Sequence, residues 1–185
     1  IKIKKISKKH RNINSMLSSI NKFITKMLID VQNTIVKSAD GEAIKLGEYS
    51  NNVILVVNVA SYCGNTAQYE DLQKLHNIYS KKGLRILAFP CNDFGNQEPD
   101  SLSEIKNFCS TKYGVEFEIM EKVHAKGKTT EPYTTLNKAE PKGDVEWNFE
   151  KFLIGKDSNV IARFKPNVKP FDDNLIAAIE VALDS

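Results

Sequence analysis

NNVILVVNVASYCGN, residues 51–65, decides how the chain folds. Its first half, Val53 to Val59, is an apolar run rich in β-branched residues, with the length of a strand buried on both faces. The run breaks at Ala60-Ser61-Tyr62 and delivers Cys63 just before Gly64. From Thr66 onward the period changes: Tyr69, Leu72, Leu75 and Tyr79 recur at three and four, as on a helix. Cys63 therefore stands where a central strand hands over to a helix. Free backbone N–H groups and the positive end of the helix dipole favour an anion there. The thiolate, the reactive form of a thiol, is favoured with it. A lone cysteine at a strand end is ordinarily a small apolar filler, but the surroundings of this one argue otherwise.

Upstream of that stretch, Thr34-Ile35-Val36 reads as a short strand, Asp40-Gly41 as a hairpin turn and Ala43 to Leu46 as the return. A loop from Gly47 to Asn52 follows. Downstream, the helix from Thr66 runs to Lys82 and stops at Gly83. Leu84 to Phe89 is a second buried strand, ended by Pro90 and Cys91. A polar loop, Asn92 to Asp100, leads to Ser101-Leu-Ser-Glu104, a capping box that opens a helix through Tyr113. Phe117 to Met120 reads as a short strand, and Pro132 to Ala139 as a short helix with proline at its first position. Phe149–Ile154 and Asn159–Phe164 make a hairpin around Gly155 to Ser158, and Phe171 to Leu183 closes the chain as an amphipathic helix. A parallel β–α–β unit, then an antiparallel pair, with helices on both faces, predicts an α/β, thioredoxin-like fold. Its central mixed β-sheet is flanked by helices and preceded by an N-terminal β-hairpin.

A chain of 185 residues supports one domain with a full core. Residues 1–28 form a basic extension and 29–185 the folded body: eight of the 26 basic residues lie before Asp30, with no acid among them. The extension, rich in Lys, Asn, Ile and Ser, fits the tail of an organellar targeting peptide, plastid or mitochondrial. Met16 or Met27 could start a shorter cytosolic form. The body is mildly acidic, which argues against nucleic acid as its ligand. No apolar run approaches the ~20 residues of a membrane span, so integral membrane association is not expected. Three widely spaced cysteines, Cys63, Cys91 and Cys109, with no CxxC, offer neither a secreted disulfide scaffold nor a zinc knuckle nor a thioredoxin-type dithiol. No ligand set sits at metal spacing, and no metal is expected.

Polar residues gather in the two loops that should border Cys63. Asn92, Asn96 and Gln97 lie in one, Trp147 and Asn148 in the other. A neutral amide or indole N–H can hydrogen-bond a thiolate, or the oxygen leaving a peroxide, without supplying a competing nucleophile. Cys91 ends a buried strand and reads as structural. His76 reads as a surface or half-buried helix residue rather than a catalytic base, and His124 as a loop residue. Lys126, Lys128, Lys165 and Lys169 read as a solvated face.

Three blocks then become specific: Asn58-Val-Ala-Ser-Tyr-Cys-Gly64 with Thr66, Phe89-Pro-Cys-Asn-Asp-Phe-Gly-Asn-Gln-Glu-Pro99, and Trp147-Asn-Phe-Glu-Lys-Phe-Leu153. In that order they resemble the glutathione peroxidase family, from Ile29 to the C-terminus. The resemblance implies a peroxidatic Cys63, standing where some members carry selenocysteine, with Gln97, Trp147 and Asn148 completing a tetrad. No selenium or other cofactor is implied. Cys109 stands where the two-cysteine members keep their resolving cysteine. The resemblance thus implies a Cys63–Cys109 disulfide, formed after local unwinding of the Cys109 helix and reduced by a thioredoxin-type protein. The short Asn137 to Val145 segment lacks the loop that helps some members form tetramers, so a monomer is expected, with a site open to bulky hydroperoxides. Arg85 and Arg163 are the only arginines of the body, which weakens glutathione as the reductant. The expected function is reduction of hydrogen peroxide and organic or lipid hydroperoxides in antioxidant defence. The alternatives are a peroxide sensor that relays oxidation to a partner protein, and a glutathione-dependent one-cysteine peroxidase.

Overall fold

The structure, a computed structural model, describes residues 28–185. Of the proposed targeting extension, residues 1–27 lie outside the described residues. Strand β1 (Ile35–Lys37) pairs antiparallel with β2 (Ala43–Lys45), and a 3₁₀ turn (Leu46–Tyr49) stands where a plain loop was expected. Then come β3 (Val53–Val59), α1 (Gln68–Tyr79), β4 (Leu84–Pro90), α2 (Leu102–Tyr113), β5 (Glu118–Ile119), α3 (Tyr133–Leu136), β6 (Lys151–Ile154), β7 (Val160–Phe164) and α4 (Asp173–Asp184). The main sheet has the order β5-β4-β3-β6-β7, with β3, β4 and β5 parallel and β6 and β7 antiparallel to their neighbours. The chain is thus an α/β protein with a thioredoxin-like mixed sheet.

All seven residues of β3 are buried, as its unbroken apolar run requires for the middle strand of a covered sheet. Alternation sends Val53, Leu55, Val57 and Val59 to one face, where they pack with Tyr69, Leu72 and Leu75 of α1, Ile105 and Cys109 of α2, and Leu175 and Ile179 of α4. The two crossovers β3–α1–β4 and β4–α2–β5 step the same way across the sheet, and right-handed connections then put both helices on one face. Ile54 and Val56 point the other way, to a core closed by Val36 of the hairpin, Leu46, and Tyr133 and Leu136 of α3. Among the described residues, helices flank the sheet unequally: three long ones on one face, a single turn on the other.

Several element ends differ from the sequence expectation. Helix α1 begins at Gln68, after a run of tight turns, and tightens into a 3₁₀ turn (Ser80–Lys82) before Gly83 ends it at φ +104°. Helix α3 is four residues long, with Pro132 at its N-cap instead of its first turn. Strand β6 begins at Lys151 because Phe149 adopts φ +70°, which no strand accommodates. The capping box on α2 forms as read: Ser101 Oγ accepts from Glu104 N–H, and Glu104 Oε2 accepts from Ser101 N–H at 2.8 Å.

Candidate active site

Cys63 sits in the turn between β3 and α1, partly exposed, five residues before the first residue of α1. It was expected at the helix N-terminus itself; the intervening turns displace it. Its sulfur accepts instead from the backbone N–H of Asn65 at 3.4 Å. Thr66 braces this turn from within. Its Oγ1 accepts from Cys63 N–H at 3.0 Å and donates to Ala60 O at 2.8 Å, while Thr66 N–H closes a turn onto Cys63 O. A hydroxyl that donates and accepts at once fixes both ends of a short loop.

The loop after β4 brings up Gln97. Gly95 and Asn96 lie at φ +64° and +52°, a left-handed pair that glycine and asparagine tolerate. The reversal delivers Gln97 beside the cysteine turn, where Tyr62 N–H donates to Gln97 O at 3.1 Å.

The third loop carries Trp147 and Asn148. Asn148 is fully buried, and its Nδ2 donates to Gln97 Oε1 at 3.0 Å. Asn65 Nδ2 donates to Asn148 O at 3.4 Å, so each outer loop is tied to the cysteine turn as well as to its fellow. The Trp147 ring is 41% exposed and tilts against Phe94, centroids 5.7 Å apart. Cys63, Gln97, Trp147 and Asn148 thus converge at one end of the sheet, from three loops.

Asn58, the polar residue inside β3, holds the third loop in its irregular shape. Its Nδ2 donates to Trp147 O, its Oδ1 accepts from Glu150 N–H, both at 3.0 Å, and its backbone O accepts from Phe149 N–H at 2.7 Å. These bonds bracket the left-handed Phe149, whose backbone strain must be offset by its surroundings. Further along, Glu150 and Arg163 pair at 2.5 Å with both side chains almost wholly buried. The guanidinium also donates to the carbonyls of Pro141, Gly143 and Asp144, clamping the segment that leads into Trp147. Lys151, fully buried, donates to Gln68 Oε1, Phe149 O and Val168 O, joining α1, the third loop and the loop after β7. Burial pushes its ammonium down to about 7, against the pull of Glu150.

The other two cysteines separate cleanly. Cys91 is fully buried in the core that contains the hairpin, and burial pushes its thiol up to about 12. Cys109, 1% exposed, lies in the opposite core, the one against which Cys63 packs. Burial raises its thiol to about 11, partly offset by the Tyr69 hydroxyl beside it. Asn58, Thr66, Glu98 and Lys151 fall within the quoted sequence blocks, but the sequence reading gave their side chains no function. The signal for Asn58 and Lys151 was a polar residue inside an apolar strand.

This arrangement, a cysteine turn crossed by amide-bearing loops on a thioredoxin-like sheet, is that of a redox protein. A family model described as glutathione peroxidase matches residues 31–137, and the chain belongs to that family. Hydroperoxy fatty acid reductase Gpx2 of Synechocystis is 47% identical over 150 residues, 81% of this chain and 97% of that protein. Thioredoxin/glutathione peroxidase BtuE of Escherichia coli is 40% identical over 177 residues, 83% of this chain and 97% of its own. Among solved structures, Trgpx in apo form superposes with a TM-score of 0.67 at 31% identity, covering 84% of this chain and 97% of that one. A thiol:disulfide interchange protein of Chlorobium tepidum, 14% identical with a TM-score of 0.61, shares the fold alone. The chain is accordingly a peroxidase.

Proposed function

We propose that the chain reduces hydrogen peroxide and organic or lipid hydroperoxides through a Cys63 sulfenic acid and a Cys63–Cys109 disulfide, which a thioredoxin-type protein reduces. The Cys63 thiolate attacks the peroxide; the O–O bond breaks, leaving sulfenic acid on Cys63 and, after protonation, water or an alcohol. Gln97, whose Oε1 is occupied by Asn148, is left with its amide N–H groups to offer to the thiolate and to the departing oxyanion, together with the Trp147 indole. Cys109 then closes the disulfide, and dithiol exchange regenerates both thiols.

The observation that carries this reading is the partition of the cysteines: Cys63 and Cys109 pack into one core and Cys91 into the other. Cys109 is almost fully buried within α2, so closing the disulfide requires that helix to open locally. The name of the Escherichia coli relative joins thioredoxin and glutathione, and those of the Synechocystis relatives point to fatty acid hydroperoxides. Against glutathione stands Arg163, whose guanidinium is engaged with Glu150 and three carbonyls and has little left for a carboxylate ligand. A monomeric enzyme serving antioxidant defence, with no metal or selenium, completes the reading.

The test is peroxide-dependent turnover with thioredoxin and thioredoxin reductase, beside glutathione, for the wild type and Cys109→Ser. Fast thioredoxin-driven turnover that collapses in the variant upholds the reading. A variant that keeps its rate, or glutathione serving equally well, overturns the role of Cys109 and the choice of reductant.

A further inference from the structure

Of the three long helices, α2 is the one least held by its own side chains. It buries two residues, Ile105 and Cys109, against three in α4 and six in α1. Toward the N-terminal hairpin it faces a cleft of about 440 Å³, lined on the helix side by Lys106, Asn107, Cys109 and Ser110. The ion pair across that cleft, Lys106 with Asp40 at 3.3 Å, joins exposed side chains and is worth little. A helix with so few apolar contacts belongs to the low-stability end of a fold.

Different partners grip the chain at the two ends of α2. Before it, Lys122 Nζ donates to Glu98 O at 2.8 Å and to Asp100 O at 2.7 Å. After it, the buried side chain of Gln73, from α1, holds Glu116. Gln73 Oε1 accepts from Glu116 N–H at 2.8 Å, while Gln73 Nε2 donates to Glu116 Oε2 at 3.3 Å and to Asn77 Oδ1 at 2.8 Å. The bond to Asn77 keeps the amide turned the right way for that grip.

The grip bears on Cys109 through the backbone. The Cys109 carbonyl accepts from Val115 N–H at 3.2 Å, and Gly114 N–H, in a left-handed turn at φ +61°, donates to Ser110 O at 3.0 Å. These two donors belong to the residues directly before Glu116. Holding Glu116 against α1 therefore holds the cap that closes the last turn over Cys109. Four helical residues follow Cys109 and seven precede it, so release from the C-terminal end breaks less of the helix.

We propose that Gln73 is the latch of α2, a role that rests on the two-cysteine reading. Its hold on Glu116 keeps the C-terminal end of the helix closed, and α2 opens from that end when the Cys63–Cys109 disulfide forms. Gln73 takes no part in the chemistry at either sulfur; it is a positioning residue that sets how often Cys109 is released. Lys122 keeps the other end in place. Glu98 and Asp100 lie in the loop that carries Gln97, so opening from the far end leaves the Cys63 site assembled.

The test is a single turnover with hydrogen peroxide, quenched and scored by mass for Cys63 sulfenic acid and for the disulfide, in wild type and Gln73→Leu. Leucine fills the space but leaves Glu116 N–H unpaired whenever α2 is closed. Disulfide closure is expected to be about threefold to tenfold faster in the variant, with the preceding oxidation of Cys63 unchanged. Hydrogen exchange of the reduced proteins gives the second reading. The amides of Lys112 to Glu116 should exchange faster in the variant by a similar factor, while those of β3 and of Ile105 to Asn107 keep their wild-type rates. A general loss of stability would raise exchange in β3 as well, and that result overturns the proposal. So does closure at the wild-type rate or slower in Gln73→Leu. In the wild type alone, exchange that is slower at Lys112 to Val115 than at Ile105 to Asn107 overturns opening from the C-terminal end, whether or not the variant folds. Absence of any Cys63–Cys109 disulfide in the wild type overturns the two-cysteine reading and the proposal together; a disulfide that closes without regard to Gln73 overturns the proposal alone.

Discussion

The Asn148 side chain donates to Gln97 Oε1 at 3.0 Å, joining two loops 51 residues apart in the chain. That bond occupies the oxygen of the Gln97 amide and leaves its Nε2 as the end able to donate. Asn148→Ala removes it and leaves Gln97 free to rotate. The second-order rate of Cys63 oxidation by hydrogen peroxide, followed by stopped flow, should fall about tenfold to a hundredfold. A rate within about twofold of wild type would mean that the pair does not organise the site.

Asn58→Leu keeps the volume of the strand but strips two hydrogen bonds from the third loop, to Trp147 O and from Glu150 N–H. Leaving those groups unpaired around the left-handed Phe149 should cost about 2–4 kcal/mol in urea unfolding. The peroxidase rate should fall with it, because Trp147 and Asn148 are set by that loop.

Lys151→Met should be equally costly for a different reason. Three oxygens, Gln68 Oε1, Phe149 O and Val168 O, surround Nζ and match the three donors of an ammonium. A thioether satisfies none of them. A loss of about 2–4 kcal/mol is expected in urea unfolding, and Lys151→Arg, which keeps the charge and the donors, should recover part of it.

Glu98 predicts a pH dependence of stability. Unfolded, it ionises through its ordinary value of 4.5; folded, it holds its proton up to about 7. Between those values the folded state binds the extra proton, so this group's contribution declines as pH rises from about 4.5 to about 7, by up to about 3 kcal/mol. Glu98→Gln should remove that decline, so that wild type and variant differ more at pH 7 than at pH 4.5 in urea titrations. Parallel curves across the window would mean that Glu98 is ionised in the folded protein throughout.

Local patterns in the sequence were enough to determine the strands, the helices and the parallel unit, because the apolar run from Val53 to Val59 and the three–four recurrence after it are short-range signals. The capping box at Ser101 and the stop at Gly83 were legible for the same reason: each is a bargain between neighbours in the chain. The motif blocks likewise named Cys63, Gln97, Trp147 and Asn148 before any geometry was known. Only the tertiary structure decided the rest. That Cys91 and Cys109 lie on opposite faces of the sheet follows from strand order and crossover hand, which no local pattern encodes. The amide of Asn58, the clamp of Arg163 and the buried charges of Lys151 and Glu98 acquire meaning from partners distant in sequence. A polar group's role is set by what surrounds it once water is excluded, and that is decided when the chain closes around it.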